Sequence, residues 1–362
     1  MTTTVALIGS GYRSHTFARV IAAVPDRLRL VGAVVRDPER AAAFTAEHGV
    51  PTWRSVADAD LEGVDVVVVA VRGSASAEVI TELKDRGPIV LAETPPGVDV
   101  AELEALGALE RDGLRIQVAE QYHLEPLLAA QISIAREGLL GRVTQAQVSI
   151  SHGYHGVSVL RRALGIGFED AEITATTVPS PVRLGPSRYG DPTEDRMVDG
   201  VRTLAWLDFG DRHGVVDFDD QQVRSWARSP SMLIRGTEGE LRDTVVRRFL
   251  DARTPMVSRL ERVAAGGPGN HEGMFLRGYA FEGQWRFANP YLRARLAEDE
   301  IAMARILDAT GEHARGGPAP YSLAEAAQDR YLDLMIQRAV QTGERVRTSR
   351  QSWASIPSAG TH

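Results

Sequence analysis

The apolar positions of the first third fall in short continuous runs: VALIG (Val5 to Gly9), LRLVGAVV (Leu28 to Val35), VDVVVVAV (Val64 to Val71), PIVLA (Pro88 to Ala92) and LRIQVAEQ (Leu114 to Gln121). Runs of this length without polar alternation are the pattern of parallel strands covered on both faces. Between them lie helical stretches. One places Phe17, Val20, Ile21 and Val24 on one face, and another opens on Asp37-Pro38 as cap and first residue and closes at Gly49. Strand–helix units repeated at this spacing predict a Rossmann-type, doubly wound parallel sheet over residues 1–121.

The pattern changes after Gln121. A helix is expected over Glu125 to Glu137, then the alternating TQAQVSIS, a hairpin turning at Gly210-Asp211, a strand–turn–strand in MLIRGTEGELRD, and a capped helix from Ser322-Leu323-Ala324-Glu325 to Gly343. This predicts an α+β domain over 122–350 with a large, mostly antiparallel open sheet, and a loose tail over 351–362. Trp226 and Trp285 are read as core packing rather than as sugar-stacking rings.

Composition narrows the chemistry. The chain has 362 residues, 43% hydrophobic and 25% charged, with net charge −7, which points away from nucleic acid. It has no cysteine, so thiolate chemistry and disulfides are out, and Lys84 is the single lysine. The start of the chain reads as a strand and no apolar run is long enough for a membrane span, so a cytoplasmic location is expected.

Gly9-Ser10-Gly11-Tyr12-Arg13-Ser14 follows the first strand directly. Gly9 allows a tight turn, Gly11 lets the backbone approach a pyrophosphate, and Tyr12 and Arg13 begin the helix whose amides would hold it. The second strand ends with Val35, where an NAD enzyme usually carries an acid for the ribose 2′-hydroxyl, and Arg36 follows. A guanidinium there suits a 2′-phosphate, so NADP is expected over NAD. Ligands of open α/β sheets sit at the carboxyl ends of strands, which adds Arg72, Glu93, Thr94 and Gln121 to the cofactor side.

These motifs, with the Glu-x-Pro of LAETPPG, QYHLEP after the last parallel strand and the segment HGYHGVSVLRRALG, resemble the Gfo/Idh/MocA oxidoreductase family over nearly the whole chain. The resemblance implies that LAETPPG lies beside the nicotinamide, with a cis Thr94–Pro95 bond. It also implies a catalytic or substrate-binding lysine where this chain has Thr94. Threonine cannot take over proton transfer, and Lys84 lies in the preceding helix. The family's acid–histidine–acid pattern reads here as Ser151, His155 and Ser158. His155 is therefore the expected proton-transfer residue, with Tyr154 assisting and His123 as a further candidate. His152, Glu93 and His123 are expected at the substrate, and no metal site is expected. By the resemblance the function is NAD(P)-dependent oxidation or reduction of a sugar, polyol or related hydroxyl compound. The alternatives are a glycoside-cleaving enzyme or lyase working by transient oxidation, and a non-catalytic NADP-binding regulator. A homo-oligomer formed through the second domain's open sheet is expected.

Overall fold

The computed structural model describes every residue except 72, 74, 268, 270–272 and 356–362. The nucleotide domain runs β1 (Thr3–Ile8), α1 (Tyr12–Ala23), β2 (Leu28–Val34), α2 (Pro38–His48), β3 (Thr52–Trp53), β4 (Val66–Val69), α3 (Ala75–Glu82), β5 (Ile89–Ala92), α4 (Val100–Arg111) and β6 (Ile116–Val118). All pairings are parallel in the order β3-β2-β1-β4-β5-β6. The order reverses between β1 and β4, so the carboxyl ends of these two strands diverge and open a crevice. The residues of β4 and β5 are buried throughout, as their unbroken apolar runs require. Asp37 caps α2 by accepting from the Arg40 amide at 2.9 Å, and Gly49 ends it in the left-handed region.

The second domain runs α5 (Pro126–Arg136), β7 (Val143–Ser149), α6 (Gly153–Leu164), β8 (Glu172–Pro179), β9 (Val182–Arg183), β10 (Met197–Val198), β11 (Val201–Asp208), β12 (His213–Asp219), β13 (Ser231–Gly236), β14 (Gly239–Arg242), β15 (Val245–Asp251), β16 (Thr254–Arg259), β17 (Glu261–Gly266), β18 (Met274–Phe281), β19 (Gln284–Ala288), α7 (Glu298–Ala314), α8 (Leu323–Thr342) and β20 (Val346–Arg347). Nine strands form one sheet in the order β16-β15-β14-β13-β7-β12-β11-β8-β20, in which only β7–β12 is parallel among the described residues. The hairpin at Gly210 and the capped helix α8, with Ser322 accepting from the Glu325 amide, form as the sequence predicts. Helices α6 and α8 cover one face of this sheet.

Helix α7 crosses back and packs on β1, β4, β5 and α1 of the nucleotide domain. The contact is close: a Cβ on Gly311 would stand 2.0 Å from the Thr3 hydroxyl. Residues 351–355 are docked rather than loose, with Trp353 buried and its indole N–H donating to Gln328 at 3.0 Å. Trp226 is 81% exposed and Trp285 is 50% exposed, so neither packs in the core as expected from sequence. Among the described residues no helix is long and apolar enough to cross a membrane.

Candidate active site

The crevice at the β1/β4 divergence is a cleft of about 990 Å³. Gly9 to Arg13 form its floor, Val35, Arg36, Asp37 and Arg40 one end, and Glu93, Thr94 and Pro95 the other. The two glycines do different work. Gly9 has φ +120, and a Cβ there would meet the Ala70 carbonyl oxygen at 2.7 Å; a Cβ on Gly11 would meet nothing within 4 Å and would project into open cleft. That is the cradle a pyrophosphate needs, with the amino end of α1 aimed at it. At the far end one Asp37 oxygen accepts the Arg40 amide as the cap of α2, and Arg36, Asp37 and Arg40 line the cleft together. One wall comes from the other domain: the Arg188 guanidinium lies 4.2 Å over the Tyr12 ring and lines the same cleft.

The opposite end is held by Arg13. It donates from Nε to Glu93 at 2.7 Å and from Nη2 to Gln121 at 2.8 Å. The remaining Glu93 oxygen accepts the Thr94 amide at 3.0 Å. The Thr94–Pro95 bond is cis. The cation beside Glu93 is thus an arginine reaching over from α1, and arginine does not give up a proton. Lys84 pairs with Asp112 at 3.2 Å, away from the cleft lining.

Next to this network stands His155, in the first turn of α6. Its Nδ1 lies 2.6 Å from Oε2 of Glu120, a fully buried carboxylate. The other Glu120 oxygen accepts the Tyr122 amide at 3.1 Å, so the acid is fixed and in turn fixes the ring. Tyr122 packs on His155 with ring centroids 4.4 Å apart, and its hydroxyl accepts from Ser151 at 3.1 Å. Burial pulls the His155 pKa down, but the charge and hydrogen bond of Glu120 outweigh it and the net shift is upward. His152 lies 4.9 Å from His155, ring to ring, and burial, with the neighbouring His155, keeps it neutral more readily than usual.

Two expected site residues lie elsewhere. Tyr154 is fully buried in the second domain's core, with an unpartnered hydroxyl and a pKa driven well up by burial. His123 packs on Tyr321 at 5.1 Å, its Nδ1 unpartnered, and burial, with Arg162 next in weight, drives its pKa well down. It does not line the cleft; nor do His155, His152 and Gln121, which stand behind Arg13 and Glu93 at its end. Arg72 lies outside the described residues.

Residues 3–120 match the family described as an oxidoreductase family with an NAD-binding Rossmann fold, Gfo/Idh/MocA. The match is confined to the nucleotide domain. A myo-inositol dehydrogenase of Streptomyces leeuwenhoekii is 32% identical over 151 residues, which is 41% of this chain and 46% of that protein. The chain thus matches less than half the length of this curated relative. The whole fold is shared with solved structures. A levoglucosan dehydrogenase in complex with NADH and L-sorbose is 19% identical at TM-score 0.68, over 97% of this chain and 100% of that one. The WlbA dehydrogenase of Bordetella pertussis, in complex with NADH and UDP-GlcNAcA, is 18% identical at TM-score 0.64, over 97% and 100%.

Two residues that sequence reasoning did not single out stand at these networks. Glu120 stands one position before Gln121 and only its burial against α6 distinguishes it. Arg188 lies in the loop between β9 and β10, far along the chain from the cleft it lines, and has no local signal.

Proposed function

We propose that the protein is an NADP-preferring dehydrogenase of sugars, polyols or related hydroxyl compounds, with His155 as the proton-transfer residue. The observation that carries this is the Glu120–His155 pair beside the Arg13–Glu93–Gln121 network. A bound nicotinamide supplies the hydride acceptor or donor. The chain's own residues do the rest. Gly9 and Gly11 admit the pyrophosphate, and Arg36 with Arg40 supplies the positive charge that a 2′-phosphate needs at that end of the cleft. Nδ1–H of His155 stays on Glu120, which leaves Nε2 as the atom that takes the substrate hydroxyl proton on oxidation and returns it on reduction. Tyr154 and His123 then serve packing, and His152 borders the substrate beside His155.

Steady-state assays with NADP⁺ and NAD⁺ over a panel of polyols and sugars, read by absorbance of the reduced nicotinamide, test the proposal. Turnover that favours NADP⁺ and collapses in His155→Ala supports it. No reduced cofactor on any hydroxyl compound, or a His155→Ala enzyme as active as the parent, refutes it.

One observation favours a second reading, cleavage by transient oxidation. Burial, reinforced by Asp299, raises the Glu125 carboxyl to about 8, so a neutral acid stands near His155 and Glu120. Cleavage of a glycoside without net change in cofactor redox state, lost in Glu125→Gln, would establish it.

The uncovered face of the nine-stranded sheet carries Trp206, about half exposed and stacked on His213 at 5.5 Å. This face is the surface for a second copy of the chain. Light scattering on Trp206→Glu is expected to show a smaller species than the parent; a monomeric parent would remove the idea.

A further inference from the structure

Beside the helix that carries the cofactor loop, the nucleotide domain holds a group of side chains that the redox reading does not use. His15 lies in the first turn of α1, and Glu47 and His48 are the last two residues of α2. His15 Nδ1 is 2.9 Å from His48 Nε2 and 3.1 Å from one Glu47 oxygen, and His48 Nε2 is 3.5 Å from the other. The geometry points to a binding site for a divalent transition-metal ion of the zinc class, built from His15, Glu47 and His48.

Three lines of argument meet here. Imidazole and carboxylate ligands stand about 2.0–2.2 Å from zinc, so in a tetrahedral site their donor atoms are separated by about 3.3 Å. The two imidazole nitrogens are 2.9 Å apart, each has a Glu47 oxygen at 3.1 or 3.5 Å, and one donor atom from each of the three residues lies within 4.8 Å of the others. The rings are also held in place: buried Phe44 packs 5.1 Å from His15 and 4.4 Å from His48. An ion therefore requires little ordering of its ligands. Lastly, the electrostatics suit a cation. The site caps the carbonyl end of α2, where the helix dipole is negative. Glu47 is half exposed, which leaves the fourth position to water.

The site joins the carboxyl end of α2 to the first turn of α1. The start of α1 carries the glycine loop, and Arg36 precedes the start of α2. An ion bound here braces the two helices that shape the cofactor cleft without entering the chemistry. It stabilises the folded chain by linkage, because the unfolded chain does not assemble the three ligands.

The test uses tag-free, chelator-stripped protein titrated with zinc chloride. Binding is read by competition with a chromophoric zinc indicator, thermal stability by melting, and geometry by the visible spectrum of the cobalt(II) form. One equivalent is expected, with a rise in Tm and the intense cobalt bands of a four-coordinate site. His15→Asn and His48→Gln should abolish binding. Glu47→Gln leaves both packed rings in place and should weaken it by about tenfold or more. Two outcomes overturn the site: no saturable binding at millimolar zinc, or one equivalent bound equally well by Glu47→Gln and His48→Gln. Loss of binding in His152→Gln instead would assign the ion to the His152–His155 pair and also overturn it.

Discussion

Oε2 of Glu120, two residues past β6, stands 2.6 Å from Nδ1 of His155 in the first turn of α6, and this contact joins the nucleotide domain to the second domain at the residue proposed for proton transfer. Alcohol oxidation needs His155 neutral, so its rate should rise with pH through the His155 pKa, while carbonyl reduction should fall through it. Glu120 raises that pKa against the pull of burial. In Glu120→Gln the burial effect is left, and the oxidation limb should move to lower pH with kcat reduced. A pH profile of kcat/KM decides it: an unmoved limb would show that His155 is not the titrating group.

The two glycines of the loop should separate stability from binding. Gly11→Ala adds a Cβ into open space, so the fold should melt as the parent does while nucleotide binding, measured by quenching of protein fluorescence, drops severely. Gly9→Ala meets the Ala70 carbonyl at 2.7 Å with φ +120 and should lower both. Equal loss of stability in the two variants would contradict this.

Arg36 should set the choice between the two dinucleotides. Arg36→Ala is expected to weaken NADP⁺ by about 10–100-fold, as for a charge-assisted contact of about 1.5–3 kcal/mol. NAD⁺ affinity should change little. Parallel dissociation constants for the two cofactors are the check, and an equal loss for both would place Arg36 outside the phosphate site.

Arg188 reaches the cleft from the second domain and rests on Tyr12. Arg188→Ala should weaken both dinucleotides by a similar factor, about tenfold, because it faces their shared part. The difference from the parent should shrink in high salt, as for any partly exposed charge contact. Calorimetry at two ionic strengths measures this.

A structural control lies deeper. Arg161 is buried and donates to Asp329 at 2.6 Å and Glu325 at 3.0 Å. Arg161→Ala strands a buried carboxylate and should cost about 3–5 kcal/mol of stability, read as a lower denaturant midpoint.

Much of this was legible in the chain. The unbroken apolar runs gave β4 and β5 their place in a parallel sheet, and Asp37 and Ser322 capped the helices they were expected to cap. The cofactor loop was readable because its glycines answer to backbone geometry alone. What escaped depends on tertiary neighbours. β3 has two residues, too few for any period. Glu120 resembles any acid near a strand end until α6 seats His155 on it. Tyr154 looked available beside His155, but α6 packs against both α8 and the sheet, so Tyr154 is turned into the core while His155 next to it meets Glu120. Arg188 is brought in by a loop of the other domain, which no local pattern announces.

The return of α7 onto β1, β4 and β5 sets a schedule for the chain's birth. β1 waits for a cover that ends at Ala314. At about 5–20 residues per second, the stretch between β6 and the end of α7 takes about 10–40 s to make. During that interval the part of the nucleotide sheet beside α1 that α7 will cover is bare, so a nascent chain arrested after β6 should bind chaperones that the finished protein ignores.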